Sequence, residues 1–270
     1  MSTEPTLKQQ IHKANVEVHR FEAKYYEALH PEVYSRKEQK RITQNLTTIT
    51  GQITDNQKKA LDVGAGTGNL TGKLLALGYN VVATDISPEM CQILRRKFNP
   101  YMPKQLKVVN SPIEDLTFDV GKFDLIASYS VLHHLPDYLA ALRGLVFYLR
   151  RGGVIYIDHE ASPTYWQGEP GALASLVKAF YFHSNPTLNS FYFSIIGLRV
   201  PTIDYTLSDY WHKKEHALDH NAIAELFREL AFRYAKRTDY YQTSSWLPNP
   251  LSPLYRLLCS PEMSYWVAKK

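Results

Sequence analysis

The chain has 270 residues, enough for one α/β domain with additions, and its 44% hydrophobic and 21% charged content is ordinary for a soluble globular protein. Its net charge of +5 is spread out apart from Arg36-Lys37, Lys40-Arg41 and Lys269-Lys270, which argues against the concentrated basic face of a nucleic-acid binder. Cys91 and Cys259 have no metal-type spacing, Met1–Pro5 begins no signal-peptide core, and the apolar run Leu173–Val200 is broken by Lys178, His183 and Asn185-Pro186. A cytoplasmic protein without a membrane span is the expectation.

Ile11, Ala14, Val18, Phe21, Tyr25 and Ala28 recur at three-four spacing, one apolar stripe of a helix that ends before Pro31. A second helix runs from about Ser35 to Ile49, and residues 1–50 read as a helical cap. Ala60-Leu61-Asp62-Val63 then forms a buried strand that ends in a turn with glycine at every second position, Gly64, Gly66 and Gly68. Such a turn brings backbone close to a ligand without a Cβ in the way, and the helix that opens at Asn69 offers free N–H groups. A dinucleotide fingerprint would place its third glycine one residue later. Asp62, before the first glycine, suits a ligand bearing an ammonium. Asn80–Asp85 is a second strand whose terminal acid, twenty-one residues after Gly64, suits a ribose diol. Ser87 caps the next helix with Pro88 at its first position. Leu106–Asn110 and Phe123–Ser128 are strands three and four, and Gly152-Gly153 turns the chain into strand five, Val154–Ile157, which ends in Asp158-His159-Glu160.

Leu61–Thr71 resembles the first motif of class I S-adenosylmethionine (SAM)-dependent methyltransferases. The resemblance continues through Val82–Met90, Phe123–Asp137 and Leu149–Gly153, about residues 40 to 160. It implies SAM as cofactor, held by Asp62, Gly64, Ala65, Gly66, Gly68, Asp85, Ile86, Ser111, Pro112, Ile113, Ser128 and Tyr129, with Tyr25 or Tyr26 of an N-terminal lid at the methionine end. The family carries an aspartate where this chain has Pro112, so Asn110 or Ser111 is a replacement for that adenine contact. It also implies an α/β fold, a mostly parallel, doubly wound, seven-stranded sheet of Rossmann-like kind. The alternation of strands and helices independently predicts parallel pairing with the ligand at the carboxyl ends of the strands.

Residues 163–212 interrupt that alternation and hold Tyr165, Trp166, Phe180, Tyr181, Phe182, Phe191, Tyr192, Phe193, Tyr205, Tyr210 and Trp211. This reads as an aromatic-rich helical insertion, either a small core of its own or a substrate lid. His212, His216 and His220 are four residues apart, but no thiol or acid shell closes a metal site around them, so no metal is expected. Asn221–Leu230 is the last crossover helix, Phe232–Tyr241 and Met263–Ala268 are strands six and seven, and Trp246–Pro250 between them is a second candidate pocket wall. Residues 51–270 form one domain beneath the cap.

The expected function is methyl transfer to a small-molecule acceptor, at a hydroxyl oxygen, with no nucleic-acid partner; a homodimer stays open. A hydroxyl acceptor needs a base. His159 and Glu160, just past strand five, rank above His133 and His134, which precede Leu135-Pro136. The alternative is a SAM-binding regulatory or assembly protein without turnover.

Overall fold

The computed structural model describes residues 4–54, 57–167, 172–173, 205–242 and 252–270. Seven strands form one sheet in the order β3-β2-β1-β4-β5-β7-β6. They are β1 (Lys59–Val63), β2 (Asn80–Asp85), β3 (Leu106–Asn110), β4 (Phe123–Tyr129), β5 (Leu149–Ala161), β6 (Tyr234–Tyr240) and β7 (Met263–Lys269). The first five pair in parallel, and β7 runs antiparallel to both β5 and β6. This is the mostly parallel doubly wound α/β sheet that the alternation of elements requires.

Side chains alternate across each strand, so both faces need cover. On one face Ala60, Leu125, Val154 and Tyr156 pack with Ile42, Leu46 and Ile49 of α4 (Arg36–Gly51) and Leu70 and Leu74 of α5 (Asn69–Ala76). On the other, Leu61, Val63, Ile126, Ile155 and Ile157 meet Leu142 and Leu145 of α7 (Tyr138–Tyr148) and Ile223, Leu226 and Phe227 of α8 (His220–Glu229). Each fully buried aliphatic side chain of this kind contributes about 1.5–3 kcal/mol. The helix starts are fixed by their expected caps: Ser35 accepts from Glu38 N–H, Asp137 from Ala140 N–H, and Ser87 from Met90 N–H at the start of α6 (Pro88–Lys97).

Three expectations change in detail. The first helix ends earlier: α1 covers Leu7–Glu22, and two single turns follow, α2 (Tyr26–Leu29) and α3 (Pro31–Tyr34). Glu22 is buried and accepts from the Tyr205 hydroxyl at 2.6 Å, with His30 Nε2 at 3.8 Å. That anchorage turns the chain, so Ala28 is exposed rather than part of an apolar stripe. The fifth strand starts earlier, at Leu149, and Gly152-Gly153 lie inside its irregular beginning, where a Cβ on Gly153 would come within 2.9 Å of the Asp124 carbonyl oxygen. His212, His216 and His220 do not share a helix face, because Tyr205–Ala217 is a run of turns and α8 begins at His220. Most of the aromatic insertion, and the Trp246–Pro250 wall, lie outside the described residues. No helix among the described residues is long and apolar enough to cross a membrane.

Candidate active site

The strand order reverses between β1 and β4, which leaves a crevice at their carboxyl ends. A cavity of about 680 Å³ lies there. Its floor is the glycine turn and the tip of β2, through Gly64, Gly66, Thr84, Asp85 and Ile86. Ser111, Pro112, Ile113 and Glu114 after β3 form one side; Tyr129, Ser130, Val131, His134 and Leu135 form the other. His12, Asn15 and His19 of α1, with Tyr26, complete the enclosure.

The turn is built for close approach. Gly64 and Gly66 have φ of 61° and 53°, in the left-handed region that glycine tolerates. A Cβ on Gly66 would meet no protein atom within 4 Å, so the space beside it is kept free of the chain itself. Asp85 faces this space with its carboxylate already oriented. One oxygen accepts from Gly66 N–H and the other from Ser87 N–H, both at 2.8 Å. Burial pushes the Asp85 carboxyl above the usual range.

Five residues expected at the cofactor do not line this cavity. Asp62 is buried beneath the glycine turn, where it accepts from the Thr71 hydroxyl at 2.5 Å, and burial pushes its carboxyl up to about 7. Ala65 spends its N–H on the Thr84 carbonyl. Gly68 serves packing, since a Cβ there would lie 2.3 Å from the Phe98 ring. Ser128 is buried in β4, and Tyr25 does not border the cavity whereas its neighbour Tyr26 does.

Of the four proposed bases, only His134 borders the cavity. Its Nδ1 lies 2.8 Å from the Ser208 carbonyl oxygen, which can only accept, so Nδ1 carries the proton and Nε2 is left as an acceptor. Burial, with His133 and His19 nearby, lowers its pKa well below the usual histidine range. The ring is therefore neutral at pH 7. Glu160 is differently employed: Oε1 accepts from the N–H groups of Val131 and Leu132, at 2.9 and 2.8 Å, and Oε2 lies 2.8 Å from His133 Nδ1. Burial opposes charge on the His133 ring, but Glu160 outweighs it and raises the pKa. His159 is buried with φ of 61° and its ring stacks on Tyr129 at 4.7 Å.

Beside it, Asp158 is fully buried and accepts from Arg41 Nη2 at 2.9 Å and Tyr240 hydroxyl at 3.1 Å, as well as from Tyr156 hydroxyl. Arg41 also reaches Glu38, which accepts from the Tyr129 hydroxyl at 2.9 Å. This network joins α4 to the ends of β4 and β5.

Sequence reasoning missed the contribution of α1. His12, Asn15 and His19 are spaced i, i+3 and i+7, a polar stripe on one helix face, and that spacing was the available signal. Asn15 Nδ2 donates to the His134 carbonyl at 3.0 Å, tying α1 to the segment after β4. Ligand-capable atoms of His133, His134 and Asp209 come within 4.8 Å of one another. His134 Nδ1 and His133 Nδ1 already have partners in Ser208 and Glu160, so only the remaining ring nitrogens could serve a metal without displacing a hydrogen bond. His220 has both nitrogens engaged, by the Ala161 carbonyl and by Trp266 Nε1–H.

Residues 61–157 match a family model described as a methyltransferase domain. A ubiquinone biosynthesis O-methyltransferase of Xanthomonas campestris pv. campestris is 32% identical over 102 residues, 37% of this chain and 42% of that protein. Its counterpart in Xanthomonas axonopodis pv. citri is 28% identical over 115 residues, 42% of this chain and 47% of its own length. The chain thus spans less than half the length of these curated relatives. Among solved structures, magnesium protoporphyrin IX methyltransferase from Synechocystis PCC 6803 with bound SAM covers 100% of both chains, with a TM-score of 0.59 at 12% identity. A SAM-dependent methyltransferase from Mesorhizobium loti covers 84% of this chain and 96% of its own, with a TM-score of 0.55 at 18% identity. At such identities the structures speak for the fold, and the match over residues 61–157 speaks for the family. Residues 61–157 are thus similar to a methyltransferase domain, set in a sheet of the Rossmann-like kind.

Proposed function

We propose that this chain uses SAM to methylate a small-molecule acceptor at a hydroxyl oxygen, with His134 as the proton acceptor. The residues present fit the cofactor. Asp85 can accept from both ribose hydroxyls, Gly66 leaves space for close approach, and Ser111–Ile113 border the same cavity. SAM when bound supplies an electrophilic methyl group on a sulfonium sulfur. The protein must then align the acceptor and, for a hydroxyl, remove a proton; alignment alone can be worth about 7–11 kcal/mol.

His134 is the observation that carries the oxygen assignment. A neutral imidazole with Nδ1–H fixed by a backbone carbonyl presents an acceptor Nε2 in a defined tautomer. Glu160 and His133 support it from behind: the carboxylate binds the first N–H groups of the 3-10 turn Leu132–His134, which fixes where that turn begins. The cavity is covered by His12, Asn15 and His19 of α1 and by Tyr26, which favours a small acceptor over a macromolecule.

Calorimetry tests the cofactor. SAM and its demethylated product should bind while NAD does not, and Asp85→Ala should weaken SAM by about 1.5–3 kcal/mol, the worth of hydrogen bonds to a charged group. Tight NAD binding with none for SAM would overturn the proposal. SAM binding with no turnover over a broad panel of phenols, alcohols and amines would instead favour a regulatory protein.

A further inference from the structure

The sheet face that packs on α7 and α8 has no helix over β2 and β3. Lys59 pairs with Asn80, Leu61 with Val82, and Val82 with Lys107, so all of these side chains stand on that one face. Leu61 is buried, Val82 is half-buried and Lys107 is exposed. The cause is the connection from β3 to β4, which holds the 3-10 turn Ile113–Asp115 and no α-helix to cross back over the face.

A cleft of about 630 Å³ lies on this uncovered part. It sits at the amino ends of β1 to β4, the opposite edge of the sheet from the candidate active site. Lys59, Lys104, Lys107 and Lys122 border it, and no carboxylate does so among the described residues. With 31 basic and 26 acidic residues in the chain, a lining of one sign departs from the average. The four lysines are distant in sequence, so no basic run announces them. Neutralisation from within the protein is slight. Lys122 Nζ has Asp119 at 3.9 Å, but that side chain is 92% exposed and the pair is screened by water and salt. Lys59 Nζ donates to Gln57 Oε1 at 2.9 Å, a neutral partner. Lys104 and Lys107 are exposed, and their ammonium groups make no ion pair or hydrogen bond among the described residues.

Spacing selects the ligand. Neighbouring strands are about 4.8 Å apart, so β3 and β4, separated by β2 and β1, stand about 14 Å apart. Ammonium groups spread over such a span suit a chain of phosphates better than a single one. Lysine is a compact point charge that binds phosphate without the fixed planar geometry of a guanidinium. We propose that this cleft is a second binding site and takes a polyphosphate chain, free or carried by a nucleoside triphosphate. It is separate from the cofactor cavity and does not depend on methyl transfer.

The test is calorimetry on the full chain at about 0.15 M salt, where charges more than about 8 Å apart are largely screened. The probes are tripolyphosphate and ATP, without divalent cations. Both should bind the wild type. Lys107→Glu with Lys122→Glu should weaken both by about tenfold or more, because two attractions become repulsions inside one cleft. Lys13→Glu with Lys214→Glu changes the net charge equally at exposed sites elsewhere, and should weaken both by less than about threefold. Circular dichroism checks that the variants fold. Lys107→Gln with Lys122→Gln serves where the charge reversal does not, with a smaller loss in the same direction. Excess demethylated SAM should leave both affinities unchanged. ATP binding more tightly than tripolyphosphate supports a nucleotide as the source, and the reverse order supports a free chain. Binding of neither probe, or equal losses in the cleft and control pairs, overturns the proposal. Competition by demethylated SAM also overturns it, by placing the phosphates in the cofactor cavity. So does tighter binding of hexaglutamate or of a short single-stranded DNA than of either phosphate probe.

Discussion

The carboxyl ends of β4 and β5 lie side by side, with Tyr129 paired to Asp158, and both ends carry histidine. At the β4 end, His134 borders the cavity with one nitrogen fixed and the other left as an acceptor. At the β5 end, Asp158 is committed to Arg41, Tyr156 and Tyr240, and Glu160 to two backbone N–H groups and His133, while His159 keeps a buried Nδ1 without a partner among the described residues but does not border the cavity. The two ends differ in the hydrogen-bond capacity they leave facing the cavity: His134 keeps one ring nitrogen there, and Glu160 has spent its oxygens to hold the segment that presents His134.

The sharpest way to break that contrast is to remove the two histidines separately. His134→Ala should lose about two to four orders of magnitude in turnover with near-normal cofactor affinity, whereas His159→Ala should keep most of its rate. Equal losses would return the base to the β5 end. The wild-type rate should also stay flat as pH falls through the ordinary histidine range, because the neutral form of His134 persists to lower pH. A limb near pH 6.5 in a pH–rate profile would contradict this.

Next in size is the effect of Glu160 on folding. Glu160→Ala strands two buried N–H groups and the His133 ring, and should cost about 3–5 kcal/mol in denaturant unfolding, as loss of one partner from a buried pair does. A stability change under about 1 kcal/mol would mean that the segment after β4 holds its shape unaided.

The smallest expected effect separates two acids at neighbouring strand ends. Asp85 faces the cavity and Asp62 does not. The Asp62 carboxyl titrates at about 7 when folded, against an ordinary value of 3.8. Its contribution to stability is therefore fully present below the unfolded value and is lost as pH rises through 7. Asp62→Asn keeps an acceptor for Thr71 without the charge, so it should stabilise by about 1–2 kcal/mol at pH 8 and by less at pH 5. Thermal unfolding at both pH values checks it, and an advantage confined to low pH would reverse the sign of the argument.

Much of the fold was legible because its signals are local. The short, continuously buried runs of β1, β2 and β4, the glycines at 64 and 66, and the caps at Ser35, Ser87 and Asp137 each depend on residues a few positions apart. Cavity-lining residues such as Asp85 and Ile113 follow from that frame, since they sit at strand ends whose order the motifs dictate. What was not legible depends on distant partners. Nothing near Glu22 announces that it will bind Tyr205 and stop α1, and nothing near Glu160 announces that its oxygens will be filled from residues 131–133. The polar stripe His12, Asn15, His19 was visible, but an apolar stripe beside it already accounted for the helix.

The junction between Asn15 and the His134 carbonyl has a kinetic side. Three residues of α1 border the cavity, and the same helix is pinned to the segment that carries His134. Anything bound beneath it leaves at a rate coupled to the undocking of α1. Loosening that one amide contact should shorten the residence time of cofactor and product far more than it changes how fast they arrive.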